Sequence, residues 1–249
     1  MIIVKTAVEL EAMRASGRLA AQVLASVARS VRPGVTTREL DELADRLIVA
    51  SGAKSAFYGY RGYPGNICVS VNEEVVHGIP GPRIIQLGDV VSLDIGVELR
   101  GFVGDNATTV LVGVTDPEVL RLAEVGQQSL AAALDMARAG RRLSDISHAV
   151  QKTAEAAGFS VVRDFVGHGV GRRLHEDPQI PNFGAPGQGP KMKPGMTFAI
   201  EPMLNLGVAE VEVMGDGWTV LTRDRKPSVH FEHSVAIRDG EPVVLTCPD

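Results

Sequence analysis

Two aspartates on neighbouring predicted strands are the first residues of this sequence that could do chemistry. Asp94 lies in an apolar run, residues 90–96, and Asp105 lies in the β-branched run that follows it. A hairpin turn centred between Leu99 and Arg100 would place the two carboxylates directly opposite each other on one sheet face. Carboxylates that close repel each other unless a cation compensates their charge. The alternative is one turn-facing and one solvent-facing aspartate, because aspartate is mostly an exposed residue.

A glycine-rich segment adds two histidines to the candidate site. His168 stands between Gly167 and Gly169, and His175 follows a short distance downstream. Glycine lets the backbone turn sharply and would leave the imidazole accessible. Imidazole is both a common metal ligand and a proton carrier. The spacing is not the His-Glu-x-x-His pattern of a zinc-binding helix, so that ligand geometry is missing. Two structural histidines are the alternative.

Two glutamates interrupt apolar strands towards the end of the chain. Glu201 lies in the predicted strand 196–204, and Glu232 lies in the predicted strand 229–237. A buried carboxylate is costly unless it is paired or coordinated. Because the two faces of a strand alternate, the alternative is a glutamate on the solvent-facing side of each strand.

Together, four carboxylates and one imidazole predict a metal centre. The set is Asp94, Asp105, His168, Glu201 and Glu232. An oxygen-rich set with one nitrogen and no thiolate suits Mn²⁺, Fe²⁺, Co²⁺ or Zn²⁺. Five protein ligands exceed what a single ion of this kind usually takes, so two carboxylate-bridged ions about 3.5–4 Å apart fit better. Such a pair can lower the pKa of a water and polarise a carbonyl in the same step.

The elements that would carry these residues include two similar pairs of helices. Apolar residues at alternating spacings of three and four predict the first helix over about 8–31. Further helices are predicted over about 36–51, about 116–138 and about 144–158. Glycines at equal spacing bracket the second helix of each pair, which indicates an internal duplication. These glycines are Gly34, Gly52, Gly140 and Gly158.

Capping patterns and strands complete the predicted fold. The capping boxes that mark two helix starts are Thr36 with Glu39 and Thr115 with Glu118. Strands are predicted at residues 90–96, 102–112, 196–204, 211–213, 218–221 and 229–237. Helix pairs that alternate with antiparallel hairpins predict an α+β fold, with helices over one face of a curved sheet.

Composition narrows the class of protein. The sequence has 249 residues, of which 45% are hydrophobic and 22% charged, with a net charge of −5 and two cysteines. We expect a single cytoplasmic domain over residues 1–249, because two cysteines do not build a disulfide scaffold and no signal peptide is visible. No apolar stretch approaches the about 20 residues needed to span a bilayer. The acidic balance gives no support for specific nucleic-acid binding.

Short motifs recur along nearly the whole chain, at residues 60–64, 66–73, 76–80, 88–94, 104–105, 167–171, 175–178, 193–196, 201–202, 216–219 and 232–233. In this order and spacing, these motifs resemble those of the type I methionine aminopeptidases. Each short motif is weak on its own, but the ordered set is specific. The chain begins a few residues before its first helix, so the resemblance is to the bacterial type without an N-terminal extension.

This resemblance implies the pita-bread fold of the creatinases and aminopeptidases. That fold is an α+β arrangement, a curved antiparallel sheet with two pseudo-symmetric helix pairs. The resemblance also implies the metal ligands already nominated. In the family's pattern, Asp105 and Glu232 bridge two divalent ions. Asp94 completes one metal site, while His168 and Glu201 complete the other.

The resemblance implies catalytic and binding roles as well. His175 would hydrogen-bond the substrate carbonyl and stabilise the oxyanion. His77 would contact the scissile amide and assist the leaving amine, and Glu201 would shuttle a proton from the water. The pocket for the methionine side chain would be lined by Tyr60, Tyr63, Cys68 and Trp218. Phe57 stands where cysteine is frequent and Leu174 where phenylalanine is frequent, so these two positions bear on fine side-chain preference.

The implied function is removal of the N-terminal methionine from nascent polypeptides when the second residue is small, by hydrolysis with a metal-activated water. A ribosome contact and a monomeric state are expected at the family level, with no membrane partner. Two alternatives stay open. One is an X-Pro aminopeptidase or creatinase relative on the same fold, although these usually carry a large extra N-terminal domain. The other is a catalytically inactive relative that serves as a binding protein, because a fold alone does not prove a function.

Overall fold

Two helix pairs and three sheets make up residues 1–247, the part of the chain that the computed structural model describes. The helices are α1 (Ala7–Ser30), α2 (Thr37–Ala50), α3 (Pro117–Met136) and α4 (Ser144–Ala156). The strands are β1 (Lys54–Ser55), β2 (Cys68–Val71), β3 (Glu74–Val76), β4 (Val90–Leu99), β5 (Phe102–Leu111), β6 (Ser160–Val161), β7 (Gly167–Gly169), β8 (Glu176–Ile180), β9 (Thr197–Ile200), β10 (Met203–Asn205), β11 (Val211–Val213), β12 (Val220–Thr222), β13 (Ser228–His230), β14 (Glu232–Ala236) and β15 (Val243–Val244).

The four predicted helices are confirmed, and their ends agree with the predictions to within two residues. Reciprocal side-chain caps fix where the first pair begins. Thr36 and Glu39 form the predicted capping box of α2, and Thr6 with Glu9 forms the same box at the start of α1. None of the helices in residues 1–247 has the length and hydropathy that a bilayer crossing requires.

The start of α3 differs from the prediction. The capping box predicted at Thr115 is wrong, because Asp116 is the N-cap residue. Its carboxylate accepts a hydrogen bond from the backbone N–H of Glu118 at 2.9 Å. Pro117 occupies the first helical position directly after it, a place where proline is favoured because that N–H has no helical partner.

A nine-stranded antiparallel sheet forms the centre of the fold. Its path is β1-β4-β5-β14-β9-β7-β8, with β2 beside β4 and β15 beside β14. Helix α1 packs on β4 and β5. One apolar core lies beneath α1 and α2, and a second lies beneath α3 and α4. The antiparallel α+β class with two helix pairs is thus confirmed.

The register of the β4–β5 hairpin corrects one prediction. Asp94 pairs with Ala107 and Asp105 pairs with Gly96, so the two aspartates are not directly opposite. The turn is centred one residue later than predicted, on Arg100 and Gly101, which have φ of 55° and 76°. A two-residue hairpin turn of this kind needs positive φ at both central residues, and glycine adopts it without strain. The aspartates become diagonal neighbours, which are still about 7–8 Å apart on one face.

Two long predicted strands are each broken in two. The strand expected over 196–204 stops after β9 and resumes as β10, because Pro202 has no N–H to donate to a ladder. The strand expected over 229–237 is split between β13 and β14. In both cases the second sheet, β13-β10-β6, takes one piece and the large sheet takes the other. Glu201 and Glu232 therefore stand where the chain changes sheets.

The strand expected over 218–221 begins later, at Val220. Asp216 explains the shift, because its Oδ1 accepts hydrogen bonds from the N–H groups of Trp218 at 2.8 Å and Thr219 at 2.9 Å. Such a side-chain turn competes with a strand ladder. It holds Trp218 in a loop at the edge of the site.

Candidate metal centre and substrate pocket

Five adjacent strands each bring one predicted ligand to the same place. Asp94 lies on β4, Asp105 on β5, Glu232 on β14 and His168 on β7, and Glu201 directly follows β9. These strands are consecutive neighbours in the large sheet, in the order β4-β5-β14-β9-β7. All five side chains line one cavity of about 160 Å³. The sheet thus brings together five predicted ligands that lie far apart in the sequence.

Distances within the cluster suit ligands of shared ions. His168 Nε2 lies 3.4 Å from Glu201 Oε1 and 3.7 Å from Asp105 Oδ2. One donor atom each from Asp105, His168 and Glu232 lies within 4.8 Å of the other two. Donor atoms this close can share an ion, and carboxylates can bridge two ions.

The imidazole of His168 is oriented by the backbone of the next residue, Gly169. Its Nδ1 lies 2.9 Å from the Gly169 carbonyl oxygen. An N–H donated from Nδ1 leaves the Nε2 lone pair facing the carboxylates, the usual arrangement of a metal-binding histidine. Burial lowers the pKa of His168 to about 3, which keeps the ring in the neutral form that binds a metal.

The glycines around His168 have a different purpose from the predicted one. His168 is buried, so the expected accessible imidazole is wrong. A Cβ on Gly167 would lie 2.6 Å from the Ala199 carbonyl oxygen on β9. The glycine therefore allows β7 to approach β9 closely, and this approach brings His168 next to Glu201.

Several carboxylate oxygens of the cluster lack hydrogen-bond partners in the described part of the chain. Among the described residues, no hydrogen bond reaches Asp94 Oδ1, Asp105 Oδ1 or Glu232 Oε1. Burial raises the pKa of Asp94 to about 7 and that of Glu201 to about 8. Burial, with repulsion from neighbouring carboxylates, also raises the pKa values of Asp105 and Glu232 well above the usual range. Unpaired buried anions are costly, so the cluster fits bound divalent cations and excludes the solvent-facing alternative for Asp105 and Glu232.

His175 stands exposed at the rim of the cavity, close to the predicted metal ligands. Its ring lies 4.1 Å from that of His168 and stacks on Tyr60 at 5.3 Å with an interplanar angle of 18°. The next residue, Glu176, forms an ion pair with Lys5 Nζ at 2.6 Å, and both side chains are almost fully buried. This pair anchors the segment that carries His175 to the N-terminal segment of the chain.

His77 lines the same cavity from another side. Its ring packs edge-on against Phe165 at 5.4 Å and Trp218 at 6.1 Å. Its backbone has φ of 59°, a left-handed conformation that costs free energy in a residue other than glycine. Gly78 holds this conformation, because its N–H donates to Ser70 Oγ at 3.1 Å and its carbonyl accepts from the Val69 N–H at 3.0 Å.

The four predicted pocket residues lie together beside the predicted metal ligands. The side chains that line this part of the cavity include Tyr60, Tyr63, Cys68 and Trp218, with Phe57 and Leu174 beside them. The Tyr63 and Trp218 rings meet edge-on at 5.0 Å, and the Tyr63 hydroxyl donates to carbonyl oxygens of Ile67 and Gly78. Burial raises the pKa of the Cys68 thiol, so it is an uncharged lining group.

Sequence reasoning missed two residues of this site. His230 is the last residue of β13, and its Nε2 lies 3.6 Å from Glu201 Oε2. Its signal was its place two residues before Glu232 in the same apolar run. Lys5 gave no signal, because nothing in its local sequence shows a partner 171 positions away.

Comparisons with known proteins cover almost the whole chain. The profile of metallopeptidase family M24 matches residues 11–239. Methionine aminopeptidase 1 of Bacillus subtilis is 50% identical over 246 residues, which cover 99% of each chain. The crystal structure of methionine aminopeptidase from Thermotoga maritima has a TM-score of 0.97 at 45% identity, covering 99% of each chain. The prolidase from Pyrococcus furiosus shares the fold, with a TM-score of 0.80 at 21% identity, and the chain covers 66% of it.

Proposed function

Because the chain belongs to the methionine aminopeptidases of metallopeptidase family M24, we propose a reaction scheme for its own residues. The fold is the pita-bread fold of that family, and the enzyme removes the N-terminal methionine from proteins by hydrolysis. The similarity to the prolidase, at 21% identity, shows a shared fold alone and therefore does not support the X-Pro alternative.

We propose that five side chains hold two divalent ions, among Mn²⁺, Fe²⁺, Co²⁺ and Zn²⁺. Asp105 and Glu232 would contribute to both ion sites, Asp94 would complete one of them, and His168 with Glu201 would complete the other. The observation that carries this proposal is the convergence of one ligand from each of five adjacent strands. When bound, the ions lower the pKa of a water and polarise the scissile carbonyl.

Three side chains then transfer a proton or hold the substrate by hydrogen bonds. Glu201 accepts the proton of the attacking water and passes it to the departing amine, a role supported by its position in the cavity, 3.4 Å from His168 Nε2. His175 donates a hydrogen bond to the substrate carbonyl oxygen and stabilises the developing oxyanion. His77 contacts the scissile amide; burial lowers its pKa to about 4, so its neutral ring can donate at one nitrogen and accept at the other.

The side chain of the substrate methionine occupies the apolar end of the cavity, against Tyr60, Tyr63, Cys68 and Trp218. A thioether makes favourable contacts with aromatic rings, and the edge-on pair of Tyr63 and Trp218 offers two of them. Phe57 and Leu174 also line this end and would tune its width.

The substrates are the N-termini of nascent proteins, and we infer that small second residues are preferred and that the enzyme works in the cytoplasm as a monomer. We infer a ribosome contact as well, as a property expected of this family. The net charge of −5 does not add an electrostatic attraction to nucleic acid.

Turnover of short peptides tests the proposed function. We expect the enzyme to release methionine from Met-Ala-Ser and to leave an Ala-Pro peptide intact. Chelation should abolish the activity, and readdition of Mn²⁺, Fe²⁺, Co²⁺ or Zn²⁺, each tested separately, should identify which ions restore it. Asp105→Asn is the matched control, because it keeps the side-chain volume and removes one bridging charge. Full activity after chelation, or cleavage of the Ala-Pro peptide alone, would contradict the proposal.

A further inference from the structure

The carboxylate of Glu201 lies between two imidazoles. His168 Nε2 faces one oxygen, Oε1, at 3.4 Å. His230 Nε2 faces the other oxygen, Oε2, at 3.6 Å. The first imidazole belongs to the metal ligands proposed above, whereas nothing in the reaction scheme so far uses the second.

His230 is fixed in place by its strand. It is 2% exposed and pairs with Met203 on β10. Its backbone N–H and carbonyl both bond to the Thr109 hydroxyl, at 3.0 and 2.9 Å, and that hydroxyl also bonds to Ser92 Oγ at 2.8 Å. The imidazole therefore reaches the site from a rigid backbone.

The Nε2 atom of His230 is buried and has no hydrogen-bond partner among the described residues. A buried polar atom without a partner costs about 1–3 kcal/mol. Glu201 Oε2 lies only a few tenths of an ångström beyond hydrogen-bond distance, and the hydrogen bonds of catalytic groups often tighten when a site is loaded. A small rotation of the carboxylate would satisfy both groups.

We propose that His230 is a positioning residue for Glu201: its Nε2–H donates to Oε2, which leaves Oε1 facing the ion that Glu201 shares with His168. This inference rests on the proposed metal centre. His230 acts through Glu201 and not as a sixth ligand. Its Nε2 faces Glu201 Oε2, whereas His168 Nε2 faces the other oxygen of the same carboxylate, Oε1. A neutral imidazole carries the single N–H that this role needs.

A pair of variants tests whether the N–H matters. His230→Leu removes the donor at similar volume, and His230→Gln keeps an N–H donor. Titration of each metal-free protein with Mn²⁺ by calorimetry should show one of the two sites, the one that Glu201 completes, losing about 10- to 100-fold in affinity in the leucine variant. The glutamine variant should recover most of that loss. On Met-Ala-Ser, kcat should fall in the leucine variant while KM stays within about twofold, because the substrate pocket is untouched.

Equal Mn²⁺ affinity in wild type and His230→Leu would overturn the inference while leaving the metal centre intact. An equal loss in both variants would also overturn it, because the donor would then not be the cause. If wild type itself bound none of Mn²⁺, Fe²⁺, Co²⁺ and Zn²⁺, the proposed function would fail first, so the two failures are distinguishable.

A measurement on the wild type covers the case in which His230→Leu does not fold. Nitrogen-15 NMR of the Zn²⁺-loaded protein reports which ring nitrogen of each histidine carries the proton. We expect the proton of His230 on Nε2, in contrast to His168, whose Nε2 is proposed to face the metal. A bare Nε2 on His230 would contradict the hydrogen bond to Glu201.

Discussion

At the scale of single residues, the proposed metal centre consists of buried charged groups that would destabilise the fold without bound cations. Four carboxylates stand close together and three of their oxygens have no hydrogen-bond partner among the described residues. Burial raises all four pKa values, so the metal-free cluster holds protons at neutral pH that ordinary carboxylates would have lost. Bound cations would lower these pKa values and favour the ionised carboxylates.

The raised pKa values predict how stability changes with pH. The folded, metal-free protein holds protons on Asp94 (pKa about 7) and Glu201 (pKa about 8) that the unfolded chain releases near pH 4–5. Their favourable contribution is therefore lost as pH rises through the folded-state values. We expect the melting temperature of the metal-free protein to fall from about pH 5 to about pH 8, and to level off above that, where both states are ionised. The Mn²⁺-loaded protein should lack this fall, and a flat metal-free profile would contradict the buried cluster.

His175 carries a prediction of its own. His175→Ala should reduce kcat on Met-Ala-Ser by about 100- to 1,000-fold, the usual cost of removing one oxyanion donor, with a small change in KM. His148→Ala is the matched control, because His148 lies on α4 and bonds only to the Gly184 carbonyl oxygen in the described structure. Steady-state kinetics of both variants decide the matter, and full turnover by His175→Ala would refute the oxyanion role.

The residues of the site were visible in the sequence to different degrees. The carboxylates could be predicted because a charged residue in an apolar strand, such as Glu201, is an anomaly that needs a cation. His77 and the pocket aromatics came only from the resemblance to a family, since an isolated aromatic is more often core. His230 and Lys5 were missed, because their partners Glu201 and Glu176 become neighbours only through tertiary contacts.

At the scale of elements, helices were predicted better than strands. Helix ends have local causes, such as the Thr36–Glu39 capping box, that can be read directly. The hairpin register depended on a turn, and centring it one residue early paired Asp94 with the wrong partner. One predicted strand breaks at Pro202, between β9 and β10, and another at Phe231, between β13 and β14. Each break depends on which of two sheets each piece joins, and no local sequence pattern specifies this.

The close approach of α1 to β5 gives an element-scale prediction. A Cβ on Gly104 would lie 2.6 Å from the Gly17 Cα on α1, so backbone meets backbone there. Gly104→Ala should lower the free energy of unfolding by about 1–3 kcal/mol, as overpacking of a core does. The control is Gly215→Ala, where a Cβ would meet nothing within 4 Å. Urea unfolding of both variants measures the difference, and equal stabilities would refute the packing argument.

The buried ion pair of Lys5 and Glu176 gives a second prediction at the scale of elements. Lys5→Met leaves the Glu176 carboxylate unpaired in the interior, which should cost about 3–5 kcal/mol of stability. Kcat should fall too, because Glu176 anchors the segment of His175. Lys54→Met is the control: its pair with Glu98 is largely exposed, and breaking it should cost about 0–1 kcal/mol.

A double variant separates charge burial from packing at this pair. Adding Glu176→Gln to Lys5→Met removes the unpaired charge, so part of the lost stability should return. Thermal unfolding of the single and double variants is the measurement. A double variant no more stable than Lys5→Met would show that packing and not charge explains the loss.

At the scale of the whole molecule, the sheet collects ligands from across the sequence. The two halves of the chain contribute Asp94 and Asp105 from one hairpin, and His168, Glu201 and Glu232 from the strands beside it. Helix pairs cover the cores on which these strands lie. The account therefore requires one shared centre, in which no half of the protein can hold both ions alone.

Anomalous X-ray diffraction from crystals grown with Mn²⁺ tests this most directly. We predict two peaks about 3.5–4 Å apart, both in contact with Asp105 and Glu232. Asp94 should touch one peak, while His168 and Glu201 should touch the other. A single peak, or a pair that lies away from Asp105 and Glu232, would contradict the paired centre on which the proposed chemistry depends.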